Sequence, residues 1–266
     1  MEKIHDFLGE KIAYSIQGKG RTIVLIHGFL GSKSLWIPLV SRLKSSFRLI
    51  SIDLPGHGKS NCVGYLHNME MMADLVAGIL SNLKVRKAVI VGHSLGGYVS
   101  LAFAEKYPDK IHGMVLINST ANSDSKERLN SRDQLISIVK RDKTKAVQAL
   151  VPSFFVGDSI RVNRLKKKYL KVANLCSTRG IVASIEGMKI RKEREIVLKF
   201  APYPYLFIAG ANDPILNLKV LKKQALLGES GAFLELQDSA HMSFMEEEGK
   251  VFKAIKEFAK KAPISN

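Results

Sequence analysis

Ser94 occupies the centre of a Gly-x-Ser-x-Gly motif, with Gly92 and Gly96 on either side. The β-branched apolar run 86–91 before it predicts a buried strand, and 98–107 after it has the pattern of a helix. A direct passage from strand to helix strains the central residue, and larger side chains at the two flanking positions would collide there. This context raises the serine hydroxyl clear of the sheet edge as a candidate nucleophile. The alternative is a glycine-rich turn with an incidental serine.

His241 and Asp213 are candidates for the base and the carboxylate that a serine nucleophile needs. Asp213 follows the predicted strand 205–210, and His241 follows the predicted strand 232–236. A serine hydroxyl needs an adjacent base, and a histidine base needs a carboxylate that fixes its tautomer. Because the carboxyl ends of parallel strands meet at one edge of a sheet, the loops there can bring all three groups together. The sequence therefore predicts a Ser–His–Asp catalytic triad that includes Ser94.

Each partner also has a structural interpretation that stays open at this point. Most lone histidines are surface residues or satisfied core residues, and Asp213 could be a turn residue or a helix N-cap. Asp238 is the rival acid, but its place three residues before His241 favours a role in the turn that follows the last strand.

An oxyanion site is predicted beside the nucleophile. The backbone N–H of Leu95, the residue after the serine, can supply one donor. We expect the second donor from Phe29, in the loop after the predicted strand 22–26. His27 is expected to bond its loop backbone and His93 to pack, and neither is expected to react.

Buried strand segments alternate with helical segments along most of the chain, which predicts an α/β fold with a mostly parallel, doubly wound sheet of about eight strands. The predicted strands lie at 3–17 (a hairpin), 22–26, 47–52, 86–91, 111–118, 205–210 and 232–236. Residues 121–204 break this rhythm, since they are polar, helix-rich and basic. We therefore expect a core of 1–120 and 205–266, with 121–204 inserted as a helical cap over the carboxyl ends of the strands.

In these motifs and their order the chain resembles the α/β-hydrolase superfamily, in its capped, esterase-like branch. The resemblance spans nearly the whole sequence and is specific for the fold and the triad, not for a substrate. The motifs are His27-Gly28-Phe29, Asp53-Leu54-Pro55-Gly56-His57-Gly58-Lys59-Ser60, Gly92-His93-Ser94-Leu95-Gly96-Gly97, Gly210-Ala211-Asn212-Asp213-Pro214 and Ala240-His241. Dehalogenases and epoxide hydrolases of this fold are excluded, because they carry an aspartate at the position of Ser94.

The resemblance implies a serine hydrolase that cleaves a carboxylic ester or thioester of a small, partly apolar acyl group, with no metal or organic cofactor. Two alternatives stay open: a C–C bond hydrolase or lyase acting on an anionic carboxylate, and a ligand receptor that retains the triad. We expect the substrate to contact Leu30, Tyr98, Phe154, Phe155 and Met242. The apolar residues of the cap could equally pack its helices onto the core.

The chain is strongly basic, with a net charge of +17 from 41 Lys and Arg against 24 Asp and Glu. Residues 121–204 hold 19 Lys and Arg against 8 Asp and Glu, and the densest runs are 161–171 and 189–194. One interpretation of this charge is a solvated helix face. The alternative is a basic lid that attracts anionic substrates. Nucleic acid is not expected as a partner, because no aromatic residues interleave with the basic ones.

The remaining bulk features favour a cytoplasmic, non-exported protein. No apolar run approaches the roughly 18 residues of a membrane span, and the charged start of the chain precedes no signal-like apolar core. Cys62 and Cys176 have neither metal-ligand spacing nor a disulfide framework. The oligomeric state stays open.

Overall fold

A computed structural model describes residues 1–262, and within them eight strands form one sheet in the order β1-β2-β4-β3-β5-β6-β7-β8. The strands are β1 (Glu2–Phe7), β2 (Glu10–Gln17), β3 (Thr22–Ile26), β4 (Arg48–Ile52), β5 (Ala88–His93), β6 (Ile111–Ile117), β7 (Tyr205–Gly210) and β8 (Gly231–Leu236). From β4 to β8 neighbouring strands are parallel, and β2 runs antiparallel to both β1 and β4. The predicted fold class is confirmed.

The central strands are buried on both faces because helices cover both sides of the sheet. Every residue of β3, β5 and β7 is buried, and their sequences are near-continuous apolar runs. The helices are α1 (Ile37–Leu43), α2 (Met69–Asn82), α3 (Leu95–Lys106), α4 (Lys126–Arg141), α5 (Lys143–Leu150), α6 (Ile160–Ala173), α7 (Thr178–Lys189), α8 (Glu195–Lys199), α9 (Leu218–Ala225), α10 (Ser243–Glu246) and α11 (Glu248–Lys261). No helix within the described part of the chain is long and apolar enough to cross a membrane.

Two helices differ from the sequence prediction. Helix α3 begins at Leu95, before the predicted 98–107, because the turn at Ser94 completes the change of direction in one residue and leaves the following glycines helical. The expected helix at about 246–261 is divided into α10 and α11, since Glu247 departs from helical geometry with φ −119° and ψ 48°.

Between β6 and β7 the chain forms α4 to α8 and a 3-10 turn at Val151–Phe154, with no strand among these residues, all of which the structure describes. Most of these helices begin with a side-chain cap: Ser125, Asp142, Ser159 and Ser177 each accept a hydrogen bond from a backbone N–H of the first turn. This helical segment contacts the loop that carries His241, because the His241 N–H donates to the Phe154 carbonyl over 3.1 Å.

Gly96 allows α3 to pack against the end of β3. A Cβ there would collide with the backbone of Ile26 and His27, which cannot move without disturbing the sheet. We expect Gly96→Ala to lower the free energy of unfolding by about 1–3 kcal/mol or more, as overpacking does. Gly249→Ala is the matched control, because no atom lies within 4 Å of its added methyl and alanine favours the helix. Urea denaturation compares the two, and equal stabilities would contradict this packing.

Candidate active site

Ser94 lies in the strained turn that joins β5 to α3. Its backbone has φ 50° and ψ −114°, in a region that residues other than glycine rarely adopt. The Ser94 N–H donates to the Ile117 carbonyl of the neighbouring strand over 2.9 Å, which fixes the turn to the sheet. Strain of this kind at one half-buried hydroxyl is typical of a functional position.

Hydrogen bonds join Ser94, His241 and Asp213 in a row. His241 Nε2 lies 2.9 Å from Ser94 Oγ, and His241 Nδ1 lies 2.8 Å from Asp213 Oδ2. Because a carboxylate accepts, Nδ1 carries the proton, and Nε2 presents its lone pair to the serine hydroxyl. The structure thus brings the three residues predicted from the sequence into one hydrogen-bonded row.

Asp213 is held by a network that the sequence analysis did not foresee. Asn118 Nδ2 donates to Asp213 Oδ2 over 2.8 Å and to the Ala240 carbonyl over 3.1 Å, and the Ile215 N–H donates to Asp213 Oδ1 over 2.8 Å. Burial opposes ionisation of this carboxyl, but the His241 charge and these hydrogen bonds outweigh it and keep the pKa of Asp213 below its usual value. The acid is therefore ionised and its oxygens are oriented.

Asp238 does not contact the histidine. Its side chain is 83% exposed, and its nearest cation is Lys250, whose Nζ lies 4.0 Å from Asp238 Oδ2. Asp238 lies in the turn after β8, as the sequence favoured.

Phe29 lines the same cavity as Ser94, and Leu95 directly follows Ser94 in the chain. Leu95 is the first residue of α3, so its N–H has no acceptor within the helix. The Phe29 loop is fixed from several sides: the Leu54 N–H donates to His27 Nε2 over 3.0 Å, and Tyr169 OH donates to the Phe29 carbonyl over 2.7 Å. His27 therefore protonates at Nδ1, which donates to the Gly28 carbonyl over 2.8 Å.

His93 contacts His241 through a hydrogen bond and through its ring. Its Nε2 donates to the His241 carbonyl over 2.9 Å, and its ring centroid lies 5.2 Å from that of His241. Burial, with the nearby His241 charge, lowers the pKa of His93 to about 3, so the ring is neutral. The sequence predicts only packing for His93, and in the structure it also bonds the backbone of the His241 loop.

A cavity of about 440 Å³ opens beside Ser94 Oγ. Its lining residues are Phe29, His93, Ser94, Tyr98, Arg128, Ser131, Arg132, Gln134, Leu135, Ile138, Leu150, Ser153, Phe154, Tyr169, Met188, Pro214, Ile215 and His241. Of the residues expected to contact substrate, Tyr98 and Phe154 line it. Leu30, Phe155 and Met242 do not: Leu30 lines a smaller apolar pocket, Phe155 packs against the Tyr169 ring, and Met242 is fully buried.

The basic runs of the helical segment do not surround this cavity. In 189–194, Arg191 forms an ion pair with Asp124 over 2.7 Å, and the buried Arg194 contacts Glu70 and Glu105. In 161–171, a run described in full, Tyr169 is the one residue that lines the cavity. Part of the charge of these runs is therefore paired with acids, and none of their Lys or Arg side chains lines the cavity.

The cations beside the site come from α4, and the sequence analysis did not single them out. Arg128, Ser131, Arg132 and Leu135 line the cavity at the i, i+3, i+4 and i+7 positions of one helical face. That spacing is visible in the sequence and could have identified the face, although not the direction in which it points. Within residues 1–262 no group of His, Cys, Asp and Glu could hold a metal ion.

The α/β-hydrolase fold family model matches residues 21–248. The chain belongs to the α/β-hydrolase family. As a member of it, the protein has the α/β-hydrolase fold, with the row of Ser94, His241 and Asp213 at the carboxyl ends of its strands.

Among solved structures, this α/β-hydrolase is similar to a thermophilic esterase from Thermogutta terrifontis, with a TM-score of 0.93, 27% identity and coverage of 98% of this chain and 99% of the other. The 2-(acetamidomethylene)succinate hydrolase of Mesorhizobium japonicum is 27% identical, over 79% of this chain and 78% of that protein. The dihydrolipoyllysine-residue acetyltransferase component of the Pseudomonas putida acetoin cleaving system is 28% identical over 93% of this chain. The chain spans 66% of the length of that last relative.

Proposed function

We propose that this α/β-hydrolase cleaves carboxylic esters through an acyl-enzyme on Ser94. The observation that carries the proposal is the continuous hydrogen-bonded row from Ser94 Oγ through His241 to an ionised Asp213. The similarity to an esterase over the whole chain supports the same reaction. Residues 121–204 are proposed as the cap that closes the site, because Phe154, Tyr169 and Met188 from it line the cavity.

In the first half of the reaction Ser94 Oγ attacks the ester carbonyl carbon while His241 Nε2 takes the hydroxyl proton. The tetrahedral oxyanion accepts hydrogen bonds from the N–H groups of Phe29 and Leu95, each of which is worth about 3–4 kcal/mol in the transition state. The bond to the leaving alkoxide then breaks, and the imidazolium returns its proton to that oxygen. The acyl group remains on Ser94 as an ester, and the alcohol departs.

In the second half a water molecule repeats the attack. His241 Nε2 takes a proton from the water as its oxygen adds to the acyl carbonyl, and the same oxyanion donors stabilise the second tetrahedral intermediate. Collapse breaks the bond to Ser94 Oγ, which recovers its proton from His241. Throughout, the Asp213 carboxylate orients His241 and stabilises its positive charge, so no proton moves to Asp213.

A substrate panel tests this proposal against the alternatives. We expect purified protein to hydrolyse small aryl and alkyl esters with turnover, and to cleave β-diketones far more slowly. Thioesters of the same acyl groups are included, because the same steps apply to a thiolate leaving group. Faster cleavage of β-diketones than of esters would favour a C–C hydrolase. Tight ligand binding without turnover of any member of the panel would favour a receptor.

A further inference from the structure

One wall of the cavity is an arginine cluster that consists of Arg128, Arg132 and Arg191. Arg128 and Arg132 line the cavity from α4, and Arg191 lies behind Tyr98, with its guanidinium carbon 4.2 Å from the centroid of that ring. Asp124 is the acid of this wall: Arg132 Nη2 donates to its Oδ1 over 3.4 Å, and Arg191 Nη1 contacts the same oxygen over 2.7 Å. Among the described residues Asp124 thus pairs with two of the three guanidiniums, those of Arg132 and Arg191.

Arg128 is the member of the cluster that no carboxylate of the described residues contacts directly. Its guanidinium has no hydrogen bond or ion pair to any residue within 1–262, and no Asp or Glu of that range lines the cavity. Burial, followed by repulsion from Arg132, lowers the pKa of Arg128, while Tyr98 and Asp124 act in the opposite direction. Arginine still remains protonated in proteins, so an unpaired cation faces the cavity.

An unpaired, half-buried guanidinium destabilises the free protein, because it has lost hydration without gaining a partner. A bound anion would supply the missing hydrogen bonds. The guanidinium donors form a planar fork that fits a carboxylate with two parallel hydrogen bonds. The remaining lining beside the cluster is mostly apolar, from Phe29, Leu135 and Ile138 among others. A cavity of about 440 Å³ accommodates a small molecule, not a polymer.

We propose that the natural substrate is an ester that carries a second, free carboxylate, and that Arg128 binds this group while Ser94 attacks the ester carbonyl. The inference rests on the proposed esterase function and deepens it. Arg132 and Arg191 add positive potential to the same wall, although Asp124 occupies part of their donors. Apolar residues between the two ends of the cavity contact the short carbon chain that joins the two carboxyl groups.

A pair of matched substrates tests the inference. The anionic member is p-nitrophenyl hydrogen glutarate, and the neutral member is p-nitrophenyl methyl glutarate, which differs by a methyl group on the remote carboxyl. We expect wild-type kcat/KM to be higher for the anionic ester by about ten- to a hundredfold, the range of a charge-assisted pair. Arg128→Met should reduce that ratio to near one, and Arg128→Lys should retain part of it.

Arg141→Met is the control variant, because it removes the same charge from the same helix at an exposed position outside the cavity lining. It should leave the ratio of the two rates unchanged, which separates a local contact from the overall charge of the chain. A wild-type ratio near one, with both esters hydrolysed in a Ser94-dependent way, would overturn the inference and leave the esterase proposal standing. Failure to hydrolyse either ester would instead count against the esterase proposal.

Inhibition supplies a measurement that needs no Arg128 variant. Glutarate should inhibit hydrolysis of the neutral ester competitively, and its dimethyl ester should inhibit at least about tenfold more weakly. Equal inhibition by the two compounds would overturn the inference. Stronger inhibition by a phosphonate of the same chain length than by the carboxylate would overturn the assignment of the anion as a carboxylate.

Discussion

Ser94→Ala is expected to lower kcat for ester hydrolysis by roughly five to six orders of magnitude, since the loss of a triad serine removes the covalent route entirely. The fold should survive, because alanine occupies less space than serine and the strained turn is fixed by its N–H bond to the Ile117 carbonyl. Steady-state kinetics with a chromogenic ester measure the loss, and circular dichroism checks the fold.

Ser153→Ala is the matched control for this variant. Ser153 also lines the cavity, but its hydroxyl donates to the Leu150 carbonyl over 2.7 Å and, within the described residues, forms no hydrogen bond with a histidine. Its removal should change kcat by less than about tenfold, because no proton transfer involves it. A Ser94→Ala protein that retains wild-type turnover would show that the nucleophile lies elsewhere.

Asp213→Asn should lower kcat by about four orders of magnitude with the protein still folded. An asparagine amide at this position would donate to His241 Nδ1 and so favour the tautomer whose proton lies on Nε2, facing Ser94. That tautomer cannot accept the serine proton. Stopped-flow or long-time assays with an activated ester measure the residual rate.

Asp238→Asn is the control for the acid, since it removes the same charge three residues before His241 at an exposed position. We expect less than about a threefold change in kcat, because surface charges this exposed contribute little. If Asp238→Asn were the more damaging of the two substitutions, the acid of the triad would be wrongly assigned.

The sequence predicts the sheet well because burial on both faces leaves a direct signature. β3, β5 and β7 are continuous apolar runs, and each strand end carries a residue of the site or its supporting loop. Ser94 could also be identified from the sequence, because local structure restricts the residue types around it. The steric demands of the turn fix the types of its neighbours, and a Cβ on Gly92 would collide with the Gly96 carbonyl and the Ser100 hydroxyl.

The residues that line the cavity could not be predicted in the same way, because they depend on how the helical segment packs. Phe154 and Phe155 are adjacent and equally apolar, yet Phe154 lines the cavity and Phe155 packs against Tyr169, with ring centroids 6.3 Å apart. The sequence also does not show which arginines form ion pairs. Arg194 is buried against acids of α2 and α3, whereas Arg128 faces the cavity unpaired within the described residues.

The role of Asn118 could not be predicted either, because it depends on a contact between distant parts of the chain. Asn118 lies at the end of β6 with φ 43°, and its amide joins Asp213 to the His241 loop. Asparagine tolerates this backbone conformation, so in the sequence the residue looks like an ordinary strand-end turn. Its contact to the acid arises from residues almost one hundred positions apart, which no local pattern reveals.

The central claim is that Ser94 is the activated nucleophile, and covalent labelling tests it most directly. A fluorophosphonate reacts with a serine whose hydroxyl is deprotonated by a neighbouring base, and peptide mass spectrometry then locates the adduct. We expect stoichiometric labelling on the peptide that contains Ser94, no labelling in Ser94→Ala or in His241→Ala, and normal labelling in Ser153→Ala. An adduct on any other serine, or undiminished labelling of Ser94→Ala, would contradict the account.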